Sequence, residues 1–250
     1  MITSRLSKSI LVGALLAAGC AVPQPQNTPV QEQRRSCAIT SSGYWIYVPS
    51  NYRHDRPAPL IVSCHGTPPY DVANHHIREW KMLAEQNYCI VVAPDLIGTD
   101  GLIGDGPIVG MLANEQIILS IISELGYRYN IDLANIMITG FSGGGFPTYW
   151  IGLRNPEIFS VVCARNCNFN ESNLRQWRPG VGKRPNIFIY WGQNDPGTIT
   201  SQSKRAVEYL RSAGFAVQTH EIPGAGHERR PEVAMSFFLR HNAPPRPSLK

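Results

Sequence analysis

The chain has 250 residues, of which 43% are hydrophobic and 16% charged, with a formal net charge of +5. That is one ordinary domain with enough apolar material for a core, which excludes a disordered chain. The basic residues are scattered, pairs such as Arg34-Arg35 and Arg229-Arg230 aside, with no basic stripe interleaved with aromatics. Nucleic acid is therefore not expected as a partner, and the charge reads as a solvated surface.

Residues 1–20 have the pattern of an export signal. Arg5 and Lys8 precede a short apolar run, Ile10 to Ala18, too short to span a bilayer. The following Leu16-Ala17-Ala18-Gly19-Cys20 resembles a bacterial lipobox. The resemblance implies lipidation of Cys20 and a cell-envelope location reached through a lipid anchor. An ordinary secretory signal is the other reading. Residues 21–35 are rich in Pro, Gln and Arg and read as a flexible tether. The domain is expected over 36–243, with a frayed tail at 244–250.

Export permits disulfides. Cys37, Cys64, Cys89, Cys163 and Cys167 remain once Cys20 is set aside. Five is odd, so at least one has no partner within the chain. No Cys-x-x-Cys pair suggests a zinc ribbon. Cys163 and Cys167 are close enough in sequence to pair.

Apolar runs alternate with helical periods along the domain. Tyr44 to Val48, Leu60 to Cys64, Cys89 to Asp95, Ile136 to Thr139, Phe159 to Ala164, Asn186 to Trp191 and Val217 to Ile222 read as strands. Asn74 to Gln86, Asn114 to Leu125, Thr148 to Arg154, Ser201 to Ala213 and Pro231 to Arg240 read as helices. Residues 98–110 and 166–184 read as loops at the edge where ligands bind. The alternation predicts an α/β fold with a mostly parallel sheet and helices on both faces. Ligands in such sheets bind at the carboxyl ends of the strands, where His65, Asp95, Ser142, Asp195 and His227 all fall.

The organising motif is Gly140-Phe141-Ser142-Gly143-Gly144 between an apolar strand and a helix. A tight turn there exposes a serine and needs small residues two before and two after it. A serine hydroxyl is a weak nucleophile unless a base, itself oriented by a carboxylate, lies within reach. Asp195 and His227 follow in the order Ser, Asp, His. Asp95 and Asp100 are rival acids, and Asp195 could also serve simply as the turn residue before Pro196. His65 is expected to shape its loop through hydrogen bonds. His75 and His76, adjacent on a helix, make a poor metal pair.

These segments, with Leu60 to Gly66, Trp191 to Asp195 and Gly224 to Glu228, resemble the α/β-hydrolase superfamily. Within it the likeness is to secreted esterases of the polyhydroxybutyrate depolymerase and feruloyl or acetylxylan esterase type. The resemblance implies Ser142 as nucleophile, His227 as general base and acid, and Asp195 as the orienting carboxylate. It implies an oxyanion hole from the N–H groups of Gly143 and Thr67, with Gly66 in reserve. Phe141 and Trp177 are candidates to face the substrate. An ester, small or polymeric, is the expected partner, and neither a metal nor an organic cofactor is required. A prolyl-oligopeptidase-like peptidase shares this motif, but no acidic pair is evident to hold a peptide's amino terminus. A non-catalytic binding module on the same fold is the third reading.

Overall fold

The computed structural model describes residues 32–99, 108–174 and 182–242. Three strands begin the order: β1 (Gln33–Ser36), β2 (Gly43–Tyr47) and β3 (Ala58–Cys64). Then come α1 (Ala73–Asn87), β4 (Ile90–Pro94), α2 (Ile108–Arg128), β5 (Ile131–Ser142) and α3 (Gly145–Arg154). The chain closes with β6 (Val161–Cys167), β7 (Asn186–Gly192), α4 (Gly197–Ser212), β8 (Val217–Ile222) and α5 (Pro231–His241).

The eight strands form one sheet in the order β1-β2-β4-β3-β5-β6-β7-β8. β1, β2 and β4 pair antiparallel, and every other neighbour is parallel. The central strands carry Leu60-Ile61-Val62, Ile90-Val91-Val92 and Ile136-Met137-Ile138, all buried. β-branched side chains suit a strand that is covered on both faces. α1 and α5 cover one face, with Ile77, Trp80, Phe237 and Phe238 in its core. α2, α3 and α4 cover the other, with Ile118, Leu125, Ile151 and Leu210. Each such aliphatic side chain contributes roughly 1.5–3 kcal/mol through burial.

The chain reverses its direction of travel across the sheet at β3, which has β4 on one side and β5 on the other. α1 then covers one face and α3 the opposite face. The loops leaving β3 and β5 therefore diverge and open a crevice at the sheet edge. Cys64 at the end of β3 is in register with Gly140 of β5. His65 to Thr67 and Ser142 are thereby set side by side.

Several expected boundaries shift. Among the described residues the first strand begins at Gln33, within the stretch read as a tether. β1 is polar and pairs with β2 through its backbone, and Arg34 meets Asp95 at 2.8 Å. α2 starts at Ile108 rather than Asn114, so the last residues of the expected 98–110 loop are helical. α4 starts at Gly197, four residues before the expected Ser201. The five described cysteines are all free and buried. Cys163 and Cys167 cannot pair, because they lie in the cores on opposite faces of the sheet. Asn166 at φ 47° breaks the alternation between them. Among the described residues no helix is long and apolar enough to cross a membrane. Cys20, Asp100, Trp177, residues 1–31 and the 243–250 tail lie outside the described residues.

Candidate active site

Ser142 ends β5 with φ 52°, in the left-handed region that L side chains rarely adopt. The strand runs straight into α3 through Gly143 and Gly144, and the Gly144 N–H closes the turn on Phe141 O at 2.8 Å. The flanking glycines are dictated by space. A Cβ on Gly140 would lie 2.3 Å from Gly144 O, and one on Gly144 would lie 2.2 Å from Cys64 O. The turn thus holds Ser142 in a strained conformation with the N-terminus of α3 behind it.

Asp195 and His227 come from the loops after β7 and β8. Those loops are joined by backbone bonds: Gln193 N–H to Ile222 O at 3.0 Å and Asn194 N–H to Ala225 O at 2.8 Å. Gly192 permits the approach, since a Cβ there would lie 2.3 Å from Gly226 O. The outcome is a 2.7 Å hydrogen bond from His227 Nδ1 to Asp195 Oδ1. That bond fixes the tautomer with the proton on Nδ1 and an acceptor at Nε2. The Asp195 side chain is fully buried, while that of His227 is 31% exposed. Of the rival acids, Asp95 is engaged with Arg34 on the β1–β2 side.

Ser142 and His227 line one cavity of about 580 Å³, together with Thr67, Tyr70, Asp71, Glu79, Phe141, Glu228 and Arg229. Phe141 packs on the His227 ring with centroids 4.6 Å apart. Gly143 sits against the β3 loop, where a Cβ would be 3.0 Å from Thr67 Oγ1.

The two expected N–H donors of that loop differ in their hydrogen bonding. The Gly66 N–H donates to Asp71 Oδ2 at 2.7 Å and is engaged within the loop. The Thr67 N–H donates to no described residue. Gly66 O accepts Thr99 Oγ1 at 2.7 Å and His65 Nδ1 at 2.8 Å. His65 Nε2 accepts the Leu96 N–H at 3.0 Å, so both ring nitrogens serve the loop. Burial holds the His65 ring below its ordinary pKa, as befits a neutral structural imidazole.

Beneath the cavity lies a charged cluster that the sequence reading did not place there. Asp71 accepts His76 Nε2 at 2.8 Å and Arg229 Nη2 at 2.5 Å. Glu79 meets Arg165 Nη2 at 2.7 Å and Arg229 Nε at 3.3 Å. Arg165 is fully buried. Burial opposes its charge, but Glu79, Tyr190 and Cys163 together more than offset that, and the guanidinium stays protonated. Asp71 and Glu79 form an acidic pair in the cavity wall, but each is matched by an arginine. Among the described residues no group of His, Cys, Asp and Glu is arranged to hold a metal ion.

Ser142 and His227 thus share one cavity, with His227 hydrogen-bonded to Asp195. No family model matches the chain. Dipeptidyl-peptidase 5 of Porphyromonas gingivalis is 28% identical over 159 residues, 57% of this chain and 22% of that protein. The bifunctional acetylxylan esterase/xylanase XynS20E of Neocallimastix patriciarum is 35% identical over 107 residues, 42% of this chain and 15% of that protein. The chain thus spans under a quarter of the length of either. Among solved structures, a CE1 ferulic acid esterase of Anaeromyces mucronatus superposes with TM-score 0.65 at 17% identity, over 88% of this chain and 97% of that one. S-formylglutathione hydrolase of Staphylococcus aureus does so with TM-score 0.64 at 13% identity, over 85% and 98%. By its sheet order, its strand-to-helix serine turn and these likenesses, the chain has the α/β-hydrolase fold.

Proposed function

We propose that this chain is an exported serine hydrolase that cleaves carboxylic esters through an acyl-enzyme. The observation that carries the reading is the shared cavity of Ser142 and His227, with His227 held by Asp195 at 2.7 Å.

His227 Nε2 takes the proton as Ser142 Oγ attacks the ester carbonyl. The tetrahedral oxyanion lies towards the N–H groups of Gly143 and Thr67, each contributing roughly 3–4 kcal/mol. His227 then protonates the departing alkoxide, and the acyl group stays on Ser142. Water attacks the acyl-enzyme with His227 again as base, releasing the acid and restoring the serine. Asp195 orients the ring and stabilises the imidazolium at each stage. Phe141 and Tyr70 supply apolar wall for the acyl or alcohol part.

The ester reading is favoured over a dipeptidyl-peptidase one by the charge balance of the cavity. Asp71 and Glu79 face Arg229 and Arg165, and Glu228 pairs with Arg230, so among the described residues of the cavity no uncompensated carboxylate remains for a substrate ammonium. The relative named dipeptidyl-peptidase 5 is what supports the peptidase reading. Export, and an anchor through Cys20, rest on the pattern of residues 1–20.

Parallel kinetics with a short-chain 4-nitrophenyl ester and a dipeptidyl 4-nitroanilide discriminate the two. We expect ester kcat/KM to exceed that of the anilide by at least about 10²-fold; turnover of the anilide alone would replace this reading by the peptidase.

A further inference from the structure

We propose that Asp71 is a positioning residue whose two carboxylate oxygens lock the oxyanion loop to the base loop, an inference that rests on the serine-hydrolase reading of Ser142, Asp195 and His227.

One oxygen serves the loop after β3. Asp71 Oδ2 accepts the Gly66 N–H at 2.7 Å and His76 Nε2 at 2.8 Å. Asp71 also folds back on this loop, its own N–H donating to Thr67 O at 3.0 Å. The Gly66 carbonyl and the Thr67 N–H belong to one planar trans peptide unit and point in opposite directions. Gly66 O is held by Thr99 and His65. With Asp71 fixing the N–H on the other side of Gly66, the residue has little freedom to rotate. The direction of the Thr67 N–H follows from that.

The other oxygen serves the loop after β8. Arg229, two residues beyond His227, donates Nη2 to Asp71 Oδ1 at 2.5 Å. Its carbonyl is already held by Arg165 Nη1 and Tyr190 Oη, each at 3.2 Å. The guanidinium lies 5.2 Å from the Phe141 ring centroid, in the wall of the cavity. Released from Asp71, it could swing into the space the substrate uses, and His227 would lose a tie to the opposite loop. Burial would raise the Asp71 carboxyl pKa, but His76, the Gly66 N–H and Arg229 together pull it below the usual range. The carboxylate therefore stays charged near neutral pH.

A cluster that served stability alone would leave kcat unchanged in any variant that still folds. The test takes Asp71→Asn, Arg229→Met, their double variant and Arg229→Lys in the full chain. It reads kcat and KM on a 4-nitrophenyl ester, Tm, and labelling of the unmodified protein by a fluorophosphonate. Asp71→Asn and Arg229→Met should each lose about 10²-fold in kcat, with KM changed by less than about threefold. The double variant should be no worse than the poorer single one, because both remove the same contact. Arg229→Lys should recover much of the loss. A folded Asp71→Asn with kcat within about threefold of the parent, or losses that multiply in the double variant, would overturn the proposal. If Asp71→Asn does not fold, the Arg229 pair decides the matter on a side chain 34% exposed. An unlabelled, inactive parent protein would remove the serine-hydrolase reading and this one with it. A labelled, active parent with an indifferent Asp71→Asn would remove this one alone.

Discussion

His227 and Asp195 are joined by a 2.7 Å hydrogen bond although 32 positions separate them. Two backbone bonds between their loops hold that distance independently of the side chains. Replacing Asp195 by Asn should therefore leave the loops in place and fail in the imidazole tautomer. We expect kcat to fall by roughly 10³–10⁴-fold. Asp95→Asn should cost less than about threefold in steady-state ester hydrolysis, since Asp95 serves Arg34 instead. Equal losses at the two positions would contradict the assignment.

The corner at Ser142 tolerates no extra atom. Gly144→Ala places a methyl 2.2 Å from Cys64 O, a backbone atom that cannot move aside cheaply. Overpacking of this kind costs about 1–3 kcal/mol or more. Urea denaturation should show a loss of that order, with ester turnover abolished because Ser142 must shift. Parent-like stability and activity would mean the turn is looser than its geometry indicates.

Tyr70 is 81% exposed, yet it lines the cavity that holds Ser142. Such a ring at a cavity mouth can stack on an aromatic part of a substrate. Tyr70→Ala should raise KM for an aromatic acyl ester about 3–10-fold, the weight of one aromatic contact. An acetyl ester should barely notice the change. An equal effect on both esters would assign Tyr70 to loop packing.

Burial keeps His65 neutral, below its ordinary pKa of 6.5. The unfolded chain therefore binds a proton that the folded protein refuses. The corresponding stability is complete above about pH 6.5 and is lost as the pH falls towards the folded value. The slope cannot exceed about 1.4 kcal/mol per pH unit for one proton. Urea midpoints between pH 7.5 and 5 should decline accordingly, and the decline should flatten in His65→Asn. A midpoint that holds or rises on acidification would contradict this.

Much of the fold is legible in the sequence because the central strands are buried on both faces. Leu60 to Cys64 and Ile136 to Thr139 are continuous apolar runs, and such runs admit few alternatives once helical periods flank them. β1 is not legible. Gln33-Arg34-Arg35-Ser36 has no apolar face, and pairing through the backbone leaves no trace in side-chain pattern. The serine turn was legible because its glycines are a steric necessity. The charged cluster was not: Asp71, Glu79, Arg165 and Arg229 meet across as many as 158 positions. Arg229 beside Arg230 reads as surface charge, and Arg165 is a lone charge just after the apolar run Val161 to Ala164. Thr99, which clamps Gly66 O, carries no signal in the sequence at all. The contact of the Gly66 N–H with Asp71 is likewise one that no spacing rule supplies.

The most direct test of the account is to label the purified protein with a fluorophosphonate and find the modified residue by peptide mass spectrometry. The account predicts one adduct, on Ser142, absent in Ser142→Ala and strongly slowed in His227→Ala, with ester turnover lost in both. An adduct on another serine, or ester turnover that survives in Ser142→Ala, would contradict it.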